Sequence, residues 1–252
     1  MKVLGITKFR DEDNLMVDLI KCLEEMKEIN NPFILKEIYA LRDEYNKICI
    51  ISNLHSSEIK SFTLTNPYIG CQNKELTKIY GAEILIAIEY LHQKGIILGK
   101  SLKPNNILLE KGHVRLCDIR ISEILSKYLR ERAKKGYMER YREYYAPEIV
   151  EGKEFDQNAD WWNFGVTLCN IYYGRPIIYS DDENKLTFSK VKNFENIDKE
   201  FGGLISSLLN EDPAKRLGAG KDGIEEIKRH DFFKEIDWSK IEKKKVKLPK
   251  LS

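Results

Sequence analysis

Gly218, Gly220 and Gly223 have the G-x-G-x-x-G spacing that lets a backbone close around a phosphate where a strand passes into a helix. No strand-like run precedes them, so they read as a structural turn ahead of a helix. Cys22, Cys49, Cys71, Cys117 and Cys169 show no paired spacing and have apolar neighbours. That describes reduced, structural thiols of an intracellular, cytoplasmic or nuclear, compartment. The four histidines do not join them in a zinc-ligand pattern. Tyr128, Tyr137, Tyr141, Tyr144 and Tyr145 lie in or beside a strongly charged stretch. They are candidates for phosphorylation, with packing or solvent exposure the plainer role.

The elements that must position these side chains follow from hydrophobic spacing. Residues 2–8 alternate as a strand, and Leu15, Leu19, Cys22, Met26 and Ile29 mark a helix over 13–29, stopped at Asn30-Asn31-Pro32. Strand-like runs at 34–41 and 48–52 flank a polar turn, and 54–73 is polar and irregular. Leu76, Tyr80, Ile84, Ala87, Ile88 and Leu91 predict a long helix ending before Gly95. Short strands are expected at 96–98, 107–109 and 114–116. Residues 127–143 read as a solvated helix or a loop. Residues 159–173 are apolar almost all round, the mark of a buried helix. Further helices are expected at 201–209 and 223–229, then an extended basic tail over 241–252. The coarse architecture is a small α/β front and a larger helical back.

Composition excludes little, with 42% hydrophobic and 33% charged residues among 252. A formal charge of +2 gives no reason to expect nucleic acid or an anionic membrane as partner. The longest apolar run, Ile84–Ile88, is far too short to span a bilayer, and no signal peptide is expected after Met1-Lys2-Val3-Leu4-Gly5.

The segment Leu102-Lys103-Pro104-Asn105-Asn106-Ile107-Leu108-Leu109 resembles the catalytic loop of protein kinases, which reads H-R-D-L-K-P-x-N before an apolar strand. Its neighbours follow in family order. Tyr90-Leu91-His92 looks like the end of the preceding helix, and Gly112–Asp118 like the strand entering the D-F-G motif. Ala146-Pro147-Glu148 matches A-P-E, Asp160-Trp161-Trp162 the buried helix, and Asp212-Pro213 with Arg216-Leu217-Gly218 the late arginine motif. Glu143-Tyr144, His230-Asp231-Phe232-Phe233 and Ile236-Asp237-Trp238 resemble segments of the AGC serine/threonine group.

That resemblance implies an α+β, bilobal kinase-like fold. It would have a truncated, β-rich N-lobe (1–53) without the glycine-rich hairpin, a mainly helical C-lobe (54–236) and a short AGC-type tail (237–252). It places Asn106 and Asp118 at the magnesium ligands, oxygen donors of the right kind. Lys103 stands where the family neutralises the transferring phosphate. Lys2, by spacing to Pro32, is the candidate phosphate-binding lysine, with Lys8 the alternative. Glu148 and Arg216 match a buried ion pair, and Asp160 the brace of the catalytic loop.

The departures fall on the chemistry. Gly99-Lys100-Ser101 replaces H-R-D, and a serine cannot serve as the carboxylate base. Ile119 and Arg120 follow Asp118, and the Arg120 guanidinium is expected to pair with Asp118 in the metal position. Cys22 falls where the lysine's glutamate partner should be, with Asp18 and Glu25 one turn either side as substitutes. No serine or threonine lies between Ser126 and Thr167 to serve as a phosphorylation switch. The expectation is a pseudokinase acting as a protein-interaction or regulatory scaffold, with ATP and Mg²⁺ binding weak or absent. The alternatives are an atypical active serine/threonine kinase and a nucleotide-sensing switch without turnover.

Overall fold

The computed structural model describes residues 2–4, 9, 11–43, 48–52, 73–129, 134–136, 142–173 and 198–249. Its N-terminal unit lays one helix on a small sheet. Helix α1 (Glu12–Lys27) begins at Asp11, whose carboxylate accepts from the Asn14 amide at 3.3 Å. Strands β1 (Lys2–Leu4), β2 (Glu37–Arg42) and β3 (Ile48–Ser52) form an antiparallel sheet in the order β1-β3-β2, with Lys2 opposite Ile50. The apolar side of α1 serves two cores. Leu15, Leu19 and Leu23 pack with Ile48 and Ile50, while Cys22, Met26 and Ile29 join the large core of the C-terminal unit.

The two units share backbone hydrogen bonds. The hairpin of β4 (Ile107–Glu110) and β5 (His113–Leu116) turns at Lys111-Gly112, where both φ angles are positive, as a tight hairpin turn requires. The Leu116 amide donates to the Phe33 carbonyl and the Leu35 amide to the Leu116 carbonyl, each at 2.8 Å. Arg115 adds bonds to the carbonyls of Pro32 and Ile34. Beyond the last helix, Leu248 packs on Gly112, where a β-carbon would meet it at 2.6 Å, and the Lys244 ammonium lies over the Phe33 ring.

The large core is built on α2 (Lys74–Gln93) and α5 (Asn158–Tyr173), with α3 (Ile121–Tyr128) and the short α4 (Pro147–Val150) between them in the chain. Asn73 caps α2 by accepting from the Leu76 amide. Gly81 of α2 lets the helices meet closely, since a β-carbon there would stand 2.8 Å from Leu168. Every residue of α5 from Ala159 to Tyr172 is buried, as its all-round apolarity predicts. Helices α6 (Lys199–Leu208), α7 (Ile224–Lys228) and α8 (Trp238–Glu242) complete the packing. The architecture is α+β, a small sheet-and-helix lobe on a larger helical one.

Three expectations are corrected. Residues 96–98 form no strand; the chain runs through them into a 3-10 turn at Gly99–Ser101, because Leu98 and Gly99 give their amides to a side chain and not to a sheet. Part of the charged stretch belongs to α3, which starts earlier than that stretch. The start of the basic tail is the helical turn of α8. The irregular segment 54–73 lies outside the described residues save for Asn73.

Glu148 and Arg216 meet in a buried two-pronged pair, at 2.6 and 2.7 Å. The guanidinium also donates to the Asn210 and Asn158 carbonyls and stacks over Trp162. Removing one partner strands a buried charge, so Glu148→Ala is expected to lower the unfolding free energy by about 3–5 kcal/mol. Urea denaturation measures this, and a loss below about 1 kcal/mol would contradict it.

Candidate active site

The site is organised from α5 upward. Asp160 is fully buried, and its carboxylate accepts from the Leu98 amide at 3.0 Å, the Gly99 amide at 2.7 Å and His92 Nε2 at 2.7 Å. Asn163, one turn on, donates its amide to the Gly99 carbonyl. Gly99 has φ +49, and the Phe155 ring fills the space a side chain would take, 2.9 Å from a β-carbon. A histidine at this position could not adopt the same loop without moving Phe155. Burial pushes the Lys100 ammonium below its ordinary range, with Glu123 opposing the shift.

The turn delivers Ser101, Lys103 and Asn106 to one buried cluster. Ser101 is only 2% exposed, and its hydroxyl makes no hydrogen bond. Its carbonyl accepts from Asn106 Nδ2 at 2.9 Å. Lys103 Nζ donates to the Lys100 carbonyl at 3.2 Å and to Ser122 Oγ at 3.3 Å, and lies 3.5 Å from the Tyr145 hydroxyl. Asn106 Nδ2 reaches the same Ser122 Oγ at 3.2 Å. One hydroxyl from α3 thus receives both the lysine and the asparagine.

Helix α3 arises directly from the degenerate D-F-G segment. Asp118 is buried at φ +56, Ile119 is buried with its carbonyl facing Cys22 Sγ, and Arg120 takes φ +60 at the start of α3. Arg120 Nη1 donates to Glu25 of α1, where the sequence suggested Asp118. Asp18 accepts from the Tyr128 hydroxyl at 2.6 Å and from Lys127 Nζ at 3.0 Å, contacts that hold its carboxyl below the usual range. Both carboxylates expected to substitute as partners of the N-terminal lysine therefore face α3. Lys2 lies on β1, but its side chain, like the whole of Lys8, is outside the described residues.

The helix was legible and missed. Ile121, Leu125 and Tyr128 follow i, i+4, i+7 spacing, and all three pack with Leu15, Leu19, Leu23, Ile48 and Ile50. α3 is wedged between the catalytic loop and the small sheet.

Chemically, the cluster offers an ammonium and the side-chain oxygen of Asn106, and Asp118 is buried twelve residues further along the chain; these donor types suit a hard dication with phosphate. The donor types fit magnesium, although no group of three or more His, Cys, Asp or Glu among the described residues forms a metal cage. What it lacks is a carboxylate at residue 101. A cavity of about 920 Å³ lies elsewhere, lined by Glu25, Glu28, Ile96, Arg120, Glu123 and Phe155 among others, and not by the loop cluster.

The family description "Protein kinase domain" matches residues 1–233. The chain belongs to the protein kinase family. It is AGC-like: it is 35% identical over 225 residues to the serine/threonine-protein kinase AtPK2/AtPK19 of Arabidopsis thaliana, covering 88% of this chain and 46% of that protein. It is likewise 35% identical over 255 residues to human ribosomal protein S6 kinase alpha-3, covering 99% of this chain and 33% of that protein. The chain thus spans about a third to a half of the length of these relatives.

Within this loop Ser101 and Asn106 predict opposite stability effects. Ser101→Ala is expected to leave unfolding free energy unchanged or raise it by up to about 1 kcal/mol, because it deletes a buried hydroxyl with no partner. Asn106→Ala removes two donated bonds and is expected to cost about 1–3 kcal/mol. Chemical denaturation of both variants decides the matter, and a strongly destabilised Ser101→Ala would show that the hydroxyl is engaged. Arg120→Gly relieves a left-handed arginine while losing an exposed ion pair, so its stability should stay within about 1 kcal/mol of the parent.

Proposed function

We propose that this AGC-type kinase-fold chain has lost phosphoryl transfer and acts as a protein-binding, regulatory scaffold inside the cell. The observation that carries the reading is Ser101: at the position of the base it is a buried hydroxyl with no hydrogen bond, two residues from a lysine already given to Ser122. Phosphoryl transfer depends on positioning and charge stabilisation, and a carboxylate must orient the attacking hydroxyl. Neither a serine nor any other described side chain of the cluster supplies that carboxylate in place of the base. By resemblance Asp118 takes the family's metal position and not that of the base.

A partner is supported by the surface of the small lobe. Val17 and Ile20 on α1, and Tyr39 and Leu41 on β2, are large apolar side chains exposed on neighbouring elements. The retained Glu148–Arg216 pair and Asp160 brace support a fold kept for its shape. A second reading, ATP and Mg²⁺ binding without turnover, is favoured by Lys103 and Asn106 meeting at Ser122, with Asp118 at the family's metal position by resemblance. The relatives named as kinases favour an active enzyme, and Ser101 argues against it.

Two measurements separate these readings. The full chain with MgATP and a generic serine/threonine peptide is expected to show no phosphotransfer that Lys103→Ala abolishes, and millimolar MgATP is expected to leave the melting temperature unchanged. A thermal shift without phosphotransfer would move the chain to the nucleotide-binding reading. Peptide phosphorylation that depends on Lys103 would sink the scaffold reading.

A further inference from the structure

Lysine is concentrated where the chain leaves α8. Residues 240–247 hold five lysines and one glutamate, a charge of +4 where the whole chain carries +2, so the remainder is net acidic. Positive charge is thus polarised onto one segment. Backbone bonds fix its course: the Lys244 amide donates to the Ile241 carbonyl and the Lys245 amide to the Lys240 carbonyl, each at 2.8 Å. Lys244 takes a left-handed φ of +51, a conformation that glycine usually supplies after a helix, and its ammonium lies over Phe33. Val246 and Leu248 pack against the large core, and the alternate residues Lys245 and Lys247 are exposed, as is Lys243.

The hairpin turn of β4 and β5 adds to the same face. Leu248 seats on Gly112, which brings the exposed Lys111 next to the lysine run. Carboxylates that could neutralise this face are committed elsewhere. Glu110 is bound by Arg115 at 2.6 Å, and the fully buried Glu83 takes His113 at 2.6 Å and the Val114 amide at 2.7 Å. Among the described residues Lys111, Lys243, Lys245 and Lys247 make no ion pair, and Glu242 is the one carboxylate within the segment. Burial, and then the nearby Arg115, push the Lys244 ammonium below its ordinary range, with Glu83 and Glu110 opposing.

We propose that the segment after α8, together with Lys111 of the hairpin turn, docks the protein on an anionic lipid surface. Lysine ammoniums are strongly hydrated point charges, suited to the spread-out negative potential of a bilayer. Residues 240–249 contain no arginine whose fork would grip a single phosphate, and no aromatic ring on which a base would stack. Val246 and Leu248, the apolar side chains that could anchor a protein partner, are turned to the core. What faces outward is charge alone, so attachment is peripheral, reversible and weakened by salt. It needs no spanning helix, and none of the described helices is long and apolar enough to be one. This goes beyond the scaffold reading, because it concerns where the chain is held and not which protein it binds.

The test sediments the full chain with vesicles of phosphatidylcholine alone or mixed with phosphatidylserine. Binding is expected to the mixed vesicles only, and to fall as added salt screens the surface. A lysine near such a surface is worth about fivefold in partition, so Lys243→Gln, Lys245→Gln and Lys247→Gln combined should weaken binding about a hundredfold. Lys111→Gln, far away in sequence, should weaken it about fivefold. Arginine at the same three tail positions should preserve binding, and the melting temperature should stay the same in every variant, since the altered side chains are exposed. Equal binding to both kinds of vesicle, or full binding by the triple glutamine variant, overturns the proposal. An unchanged Lys111→Gln removes the hairpin turn from the docking face. Retention of the chain by polyglutamate or polyuridylate, without sedimentation on mixed vesicles, overturns the lipid assignment in favour of an acidic protein or a nucleic acid.

Discussion

A fully buried carboxylate is the constraint from which the rest of the site follows. Asp160 has no solvent to satisfy it, and an ionised carboxylate in such a place is tolerable only if protein donors surround it. The Leu98 and Gly99 amides and His92 provide them. Those bonds dictate the path of the loop that follows, and therefore where Ser101, Lys103 and Asn106 arrive. They also explain why residues 96–98, apolar enough for a strand, pair with no strand: two amides of the loop are already given to α5.

The same constraint shows how the side chains of the loop can depart from the family pattern while its path persists. Asp160 binds backbone amides, which every residue type except proline provides, so these bonds do not depend on the identity of the loop's side chains. Gly99, Lys100 and Ser101 are tolerated because none of their side chains is needed for that course. Gly99 even relaxes it, having positive φ and leaving room for Phe155. Positions holding the loop by side chain, such as Asn106 on the Ser101 carbonyl, have not drifted from the family pattern.

What was legible in the sequence divides along the same line. The buried helix α5 announced itself by apolarity on every side, and α2 by its repeating Leu and Ile. Glu148, Arg216 and Asp160 stand out by motif order; in space Glu148 pairs with Arg216, and Asp160 takes the Leu98 and Gly99 amides. Helix α3 was hidden by its context: Ile121, Leu125 and Tyr128 carry its period, but they follow a degenerate D-F-G and lead into a charged stretch. Asp18 and Glu25 were read along α1 alone, as neighbours of Cys22. Their actual partners, Lys127, Tyr128 and Arg120, lie about a hundred residues away in sequence. Spacing along one helix reveals which side chains share a face, and only the fold reveals what that face meets.

The segment after α8 has a mechanical consequence. Lys244 rests on Phe33, whose carbonyl takes the Leu116 amide at the junction of the lobes, and Leu248 seats on the hairpin turn at Gly112. The end of the described chain therefore bears on both sides of the seam at once, like a strap over a hinge. Force or bulk applied just beyond Leu248 is transmitted to the junction of the lobes before it reaches the helical core. A spectroscopic label attached there would sense relative motion of the lobes, even though it stands far along the sequence from the small sheet.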